Sequence, residues 1–257
     1  MRLKQQFILL LTSLVLTNVL FSGKIGANSV EQEALKLYNQ GVEELESANY
    51  QEAITNFNAA IKLNPDQAQA YYNRGYARHR LGDYQGAIAD YEQGIKLNPE
   101  LVEAYANSCY GLYVLEEYEE AIAMCTEAIN LDSNNSNYYL NRGNAYDDLG
   151  EYQLALEDYQ QGLTIEPTNE ILFYNQGLVY NRLEEITKAI DSYTNSIDLA
   201  PEFPQAYYNR GISYLKIGES ELGITDLRKA QELFAEQGKQ ESYKRIEDLL
   251  DTLAQNL

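Results

Sequence analysis

Asparagine returns at one phase along most of the chain: Asn39, Asn73, Asn107, Asn141, Asn175 and Asn209 stand 34 residues apart. Three of them open the tripeptide Asn-Arg-Gly, at Asn73, Asn141 and Asn209, so a period of 68 is laid over the period of 34. This repetition constrains the fold more than any bulk property. A unit of that length cannot bury a core by itself, so neighbouring units must stack, and the expected architecture is a solenoid of two-helix units rather than one closed core.

The units run 34–67, 68–101, 102–135, 136–169, 170–203 and 204–237. In the second, Tyr71, Arg74-Gly75 and Arg78 mark a first helix and Leu81-Gly82-Asp83 a turn. Ala87, Ile88, Tyr91, Gly94 and Ile95 then recur at the spacing of an amphipathic helix's buried stripe. Pro65, Pro99, Pro167 and Pro201 close four units, because proline cannot continue a helix. The third closes on Asp132-Ser133-Asn134-Asn135-Ser136, a turn and capping cluster. Residues 28–33 are the expected start of the first helix, with Ser29 and Gln32 as a capping box and Val30 as the first helical residue. After Gly238, residues 238–257 carry Tyr243, Ile246, Leu250, Leu253 and Leu257 at helical spacing, a helix expected to cap the last unit.

With these residues in place the units resemble tetratricopeptide repeats over 34–237 without a gap. Unit position 8 reads Gly41, Gly75, Cys109, Gly143, Gly177 and Gly211, where that family is small. Position 20 reads Ala53, Ala87, Ala121, Ala155, Ala189 and Gly223; position 24 reads Phe57, Tyr91, Cys125, Tyr159, Tyr193 and Leu227. The resemblance implies an all-α, right-handed α-solenoid of six helix-turn-helix repeats plus the capping helix. It also implies an interaction scaffold whose concave groove binds an extended segment of a partner protein or peptide. The other reading of the architecture is an assembly factor working through convex or terminal surfaces, or through self-association.

Ahead of the repeats, Arg2 and Lys4 precede an apolar run from Phe7 to Phe21 and small residues ending at Ala27. Residues 1–27 read as a secretory signal peptide, cleaved after Ala27 or after Ser22, and the protein as exported. The alternative, a retained anchor, needs about 20 apolar residues, and Thr12, Ser13, Thr17 and Asn18 interrupt the run. The whole chain has 19 basic and 39 acidic side chains; without Arg2, Lys4 and Lys24 the charge moves from −20 to −23. That surface repels nucleic acid and anionic membranes, so neither is an expected partner.

Arg74, Arg142 and Arg210 share position 7, and Asp90, Asp158 and Asp226 share position 23 of the same units. Antiparallel helices put those positions at one height, which predicts three salt bridges inside the even-numbered units. Under the resemblance, the six asparagines at position 6 lie beside the groove and hold a peptide by its backbone amides; alternatively they hydrogen-bond neighbouring helices. Tyr38, Tyr72, Tyr174 and Tyr208 at position 5, with Tyr76 and Tyr110 at position 9, are expected to offer the groove aromatic surface. A chaperone-tail clamp of this family needs arginine at position 6, where this chain has only asparagine.

Cys109 and Cys125 stand at positions 8 and 24 of the third unit, either as a disulfide or as two small buried thiols. Arg78-His79-Arg80 is the one basic cluster, a solvated patch or a seat for a carboxylate. The sequence has no metal-ligand spacing, phosphate loop or nucleophile with an orienting base. No catalytic residue, metal or cofactor is therefore expected.

Overall fold

The computed structural model describes residues 29–255, so expectations for residues 1–28 and for Leu257 lie outside the described residues. Among the described residues thirteen helices follow one another with short turns between them. The first unit is α1 (Ser29–Glu46) and α2 (Tyr50–Leu63), the second α3 (Ala68–Arg80) and α4 (Tyr84–Leu97), the third α5 (Val102–Val114) and α6 (Tyr118–Leu131). The fourth is α7 (Ser136–Leu149) and α8 (Tyr152–Ile165), the fifth α9 (Glu170–Arg182) and α10 (Ile186–Leu199), the sixth α11 (Pro204–Lys216) and α12 (Ser220–Glu236). Finally α13 (Gln240–Gln255) covers the end. The first helix begins at Ser29, one residue earlier than its capping pattern suggests.

Among the described residues a helix meets its sequence neighbours and, for the odd-numbered helices up to α11, the next odd-numbered helix. The architecture is therefore an α-solenoid. The first helices of successive units touch while the second helices do not, which puts α1, α3, α5, α7, α9 and α11 on the inner, concave side.

Small residues set the helix spacing. A Cβ on Gly41 would stand 2.6 Å from the Phe57 ring, on Gly143 2.6 Å from Tyr159, and on Gly177 2.5 Å from Tyr193. Glycine at position 8 thus exists because an aromatic ring at position 24 fills the space between the two helices. Phe57, Tyr91, Tyr159 and Tyr193 are all fully buried, each contributing roughly 1.5–3 kcal/mol of burial. Their neighbours form a string of small clusters, from Ala53, Ile54, Phe57 and Ala77 at one end to Leu227, Ala230, Phe234 and Ile246 at the other. In α13, Ile246 is the buried residue, and Leu249, Leu250 and Leu253 pack around it.

Every turn inside a unit needs a left-handed residue at position 15. Even units supply Gly82, Gly150 and Gly218; odd units force Ala48, Glu116 and Glu184 to φ of 59°, 65° and 60°. A side chain in that conformation costs about 1 kcal/mol, so the odd units carry strain that the even units avoid.

Candidate binding groove

The three arginine and aspartate pairs meet as forks. Arg142 donates from Nε to Asp158 Oδ2 at 2.8 Å and from Nη2 to Oδ1 at 2.7 Å. The corresponding bonds are 2.9 and 2.5 Å for Arg74 with Asp90, and 2.7 and 2.9 Å for Arg210 with Asp226. Each arginine has a further partner that the sequence reading missed. Its Nη1 donates back to the preceding unit: Arg74 to Asn58 at 2.6 Å, Arg142 to Thr126 at 3.0 Å and Arg210 to Thr194 at 3.0 Å. These acceptors all sit 16 residues before their arginine, at one phase of the 68-residue period, which is the signal that would have found them. The arginines therefore stitch units one to two, three to four and five to six, at the seams and away from the inner face.

Burial pushes the Asp158 carboxyl above its ordinary range against the pull of Arg142, while the bonds to Asp158 push Arg142 up. The two shifts oppose one another on the carboxylate. The bidentate geometry identifies an ion pair, and the burial penalty reduces its net worth.

On the inner face the asparagines are already engaged with protein, and their partners follow a rule. Asn73 donates to the Tyr38 hydroxyl at 3.1 Å, Asn107 to Tyr72 at 3.3 Å and Asn209 to Tyr174 at 2.9 Å, each partner lying 35 residues back on the preceding inner helix. The rings of these tyrosines pack inward: Tyr38 lies 5.9 Å from Phe57, Tyr72 5.8 Å from Tyr91 and Tyr174 5.9 Å from Tyr193. Tyr174 is only 4% exposed and Tyr72 belongs to the core around Ala87 and Leu101, so these two present a hydroxyl edge, not the aromatic face expected from sequence. The reason is that position 5 sits directly over the ring at position 24. Burial pushes the phenols of Tyr38, Tyr72 and Tyr174 up, which keeps them neutral acceptors for the carboxamides.

The rule breaks twice. Position 5 holds Ala106 in the third unit and Leu140 in the fourth, so Asn141 and Asn175 have no tyrosine behind them. Asn175 turns to Asn144 Oδ1 at 2.8 Å, which also accepts from the Tyr159 hydroxyl at 2.9 Å. The buried Asn141 Oδ1 has no hydrogen-bond partner. At the other end of the array, Asn39 is exposed.

Tyr110 stacks on His79 at 5.2 Å with an 18° tilt, and Tyr76 accepts from Arg80 Nη1 at 3.0 Å. Tyr208 lies under the Arg245 guanidinium of α13 at 5.9 Å. The basic cluster divides. Arg78 donates to Asp90 at 2.8 Å and to the Gly86 carbonyl at 3.1 Å, while Arg80 lies 4.8 Å over the Tyr50 ring. His79 is 8% exposed, and burial, helped by Arg80, lowers its pKa to about 4, so it is neutral. A second line of bonds joins the ends of the inner helices. Tyr113 donates to Asp148 at 3.0 Å, Arg182 pairs with Asp147, and Lys216 donates to Asn181 at 2.6 Å.

Cys109 and Cys125 form a disulfide with Cα atoms 5.2 Å apart, both side chains fully buried. Among the described residues no group of three or more His, Cys, Asp or Glu is gathered to hold a metal ion, and no helix is long and apolar enough to cross a membrane.

Comparison with known proteins supplies the family of the units. Models described as tetratricopeptide repeat match residues 38–101, 136–169 and 204–237, and one described as TPR repeat matches 177–218. No curated protein matches the chain. Among solved structures, MamA is 27% identical with a TM-score of 0.61, over 64% of this chain and 96% of that one. PilF of Pseudomonas aeruginosa is 14% identical with a TM-score of 0.68, over 86% of this chain and 99% of that one, a likeness of fold. YrrB, described as a TPR protein with an unusual peptide-binding site, is 22% identical with a TM-score of 0.59, over 69% of this chain and 91% of that one.

Proposed function

Since the chain is built of tetratricopeptide repeats, we propose that it is an exported protein-interaction scaffold that holds an extended segment of a partner protein along its inner face. The observation that carries this reading is the row of asparagine carboxamides on successive inner helices. A carboxamide NH2 has two hydrogens; Asn73, Asn107, Asn175 and Asn209 commit one within the protein, which leaves a second donor for a peptide backbone at a regular step. The peptide-binding site named for YrrB, a protein of the same fold, supports the class of ligand. The apolar run of residues 7–21 and the buried disulfide support an oxidising compartment outside the cytoplasm.

Replacing Asn141 and Asn175 together by alanine is the test, with partner retention by a chain starting at residue 28 as the readout. Retention is expected to fall while the helical circular dichroism spectrum stays the same; unchanged retention would sink the groove. A second reading, end-on assembly, is favoured by α1, whose Val30 and Leu35 are 44% and 51% exposed. It predicts that Leu35→Glu, and not the asparagine changes, disrupts the complex.

A further inference from the structure

The break in the tyrosine and asparagine rule falls in the middle of the groove, on the helix where two buried oxygens lack donors. The Asn141 Oδ1 is buried and has no hydrogen-bond partner. Asn107 and Asn209 each donate an amide hydrogen to Tyr72 and Tyr174, whereas the Asn141 NH2 has Ala106 at that register; its Oδ1 is a separate unmet acceptor that no tyrosine of this rule would satisfy. Further along the same helix, the Asp147 side chain is 10% exposed. Its Oδ2 pairs with Arg182, and its Oδ1 is buried without a partner. Buried polar atoms in folded proteins are satisfied with few exceptions; of the seven among the described residues, Asn141 Oδ1 and Asp147 Oδ1 are the two that share one inner helix, α7.

Two unmet oxygens ask for donors. The charge at this end of α7 is negative, with Asp147 and the adjacent Asp148 against the single Arg182 guanidinium. We propose that the inner face between α5, α7 and α9 is the anchoring subsite for an extended partner segment carrying an arginine or lysine. In this arrangement Asn141 takes its main chain and Asp147 its side-chain cation. The inference rests on the groove reading above and adds the place and the charge of the ligand.

Geometry sets the spacing. Asn141 and Asp147 are about 9 Å apart along α7 at a rise of 1.5 Å per residue. By register with its sister residues Asn141 leans toward α5, and Asp147 leans toward α9 through Arg182. A segment crossing α7 therefore spans the distance with roughly three extended residues between the main-chain group held by Asn141 and the basic side chain.

The test uses the chain from residue 28 onward and two fluorescein-labelled, acetylated and amidated Gly/Ser peptides, one with a single central arginine and its twin with glutamate in that place. Anisotropy is expected to show the arginine peptide binding at least about tenfold more tightly than its twin. The Asn141 side-chain NH2 resonance should move on titration. Ala106→Tyr, which fills the space beside Asn141 with a ring and engages its NH2, is expected to weaken the arginine peptide about tenfold. Asn141→Ala gives a second variant that removes the acceptor without adding volume, and the same loss is expected. Equal binding of the glutamate twin overturns the charge assignment. Equal binding by both variants overturns the place, while the groove reading stands or falls on partner retention by the Asn141 and Asn175 double variant. No binding of either peptide overturns the inference.

Discussion

The second and third units have the same length and adjoin one another, yet they fill the space between their helices by different chemistry. In the second, the Tyr91 ring packs on Gly75, Tyr72 packs on Tyr91, and the Tyr72 hydroxyl accepts from Asn107 of the next unit. In the third, the Cys109 to Cys125 disulfide stands where glycine and ring would meet, and Ala106 stands where the tyrosine would. The family models match the units on either side and leave 102–135 uncovered. The difference teaches that one ring at position 24 does two things: it sets helix spacing and it supports the tyrosine that satisfies the following asparagine. A disulfide does the first and leaves the second undone, so the Asn141 NH2 finds no tyrosine hydroxyl on α5.

The comparison can be broken at several points. Removing the ring has the largest effect: Tyr91→Ala is expected to cost about 3–5 kcal/mol in denaturant unfolding. The seams differ next, because the third and fourth units are stitched by Arg142 and the second and third are not. Arg142→Met leaves Asp158 buried without its fork and should cost about 3–4 kcal/mol, whereas adding Asp158→Leu should recover most of it. A deficit that persists in the double variant would show that the guanidinium contributes by packing.

Reduction comes third. The disulfide closes a short loop between adjacent helices, so opening it should cost about 3 kcal/mol, and Cys125→Ser should abolish the sensitivity to reductant.

The seam between the second and third units has its own pH signature. His79 is held neutral against Tyr110 with its pKa lowered to about 4, while the unfolded chain protonates near 6.5. As pH falls through that window the unfolded state binds the proton first, so about 2–3 kcal/mol of stability is lost between pH 6.5 and 4. His79→Phe should flatten that part of the profile relative to the parent chain. The smallest effect relieves turn strain: Glu116→Gly is expected to stabilise by about 0.5–1 kcal/mol, and Gly150→Ala to destabilise by a similar amount.

The units, their helix pairs and the arginine and aspartate forks were legible in the sequence because each rests on a fixed period with a simple geometric meaning. What sequence left open were matters of side-chain direction. Whether position 5 shows a face or an edge to the groove depends on the ring beneath it at position 24, a contact between two helices that no single-helix pattern displays. Asn58, Thr126 and Thr194 escaped for a related reason: they belong to a seam, and a unit-by-unit reading looks inside units. The Ala106 gap was visible as a letter, but its consequence for Asn141 appears only once the spacing of 35 is recognised as a contact between inner helices. The choice between two thiols and a disulfide also needed positions in space.

Site-specific photo-crosslinking tests the scaffold claim most directly. A crosslinking side chain at Asn137, one turn before Asn141 on α7, reports on the inner face, and the same group at the exposed Glu127 on α6 reports on the outer helices. The account predicts partner adducts from Asn137 that diminish when Asn141 is also changed to alanine, with none from Glu127. Adducts from Glu127 alone, or adducts from Asn137 that ignore the Asn141 change, would contradict it.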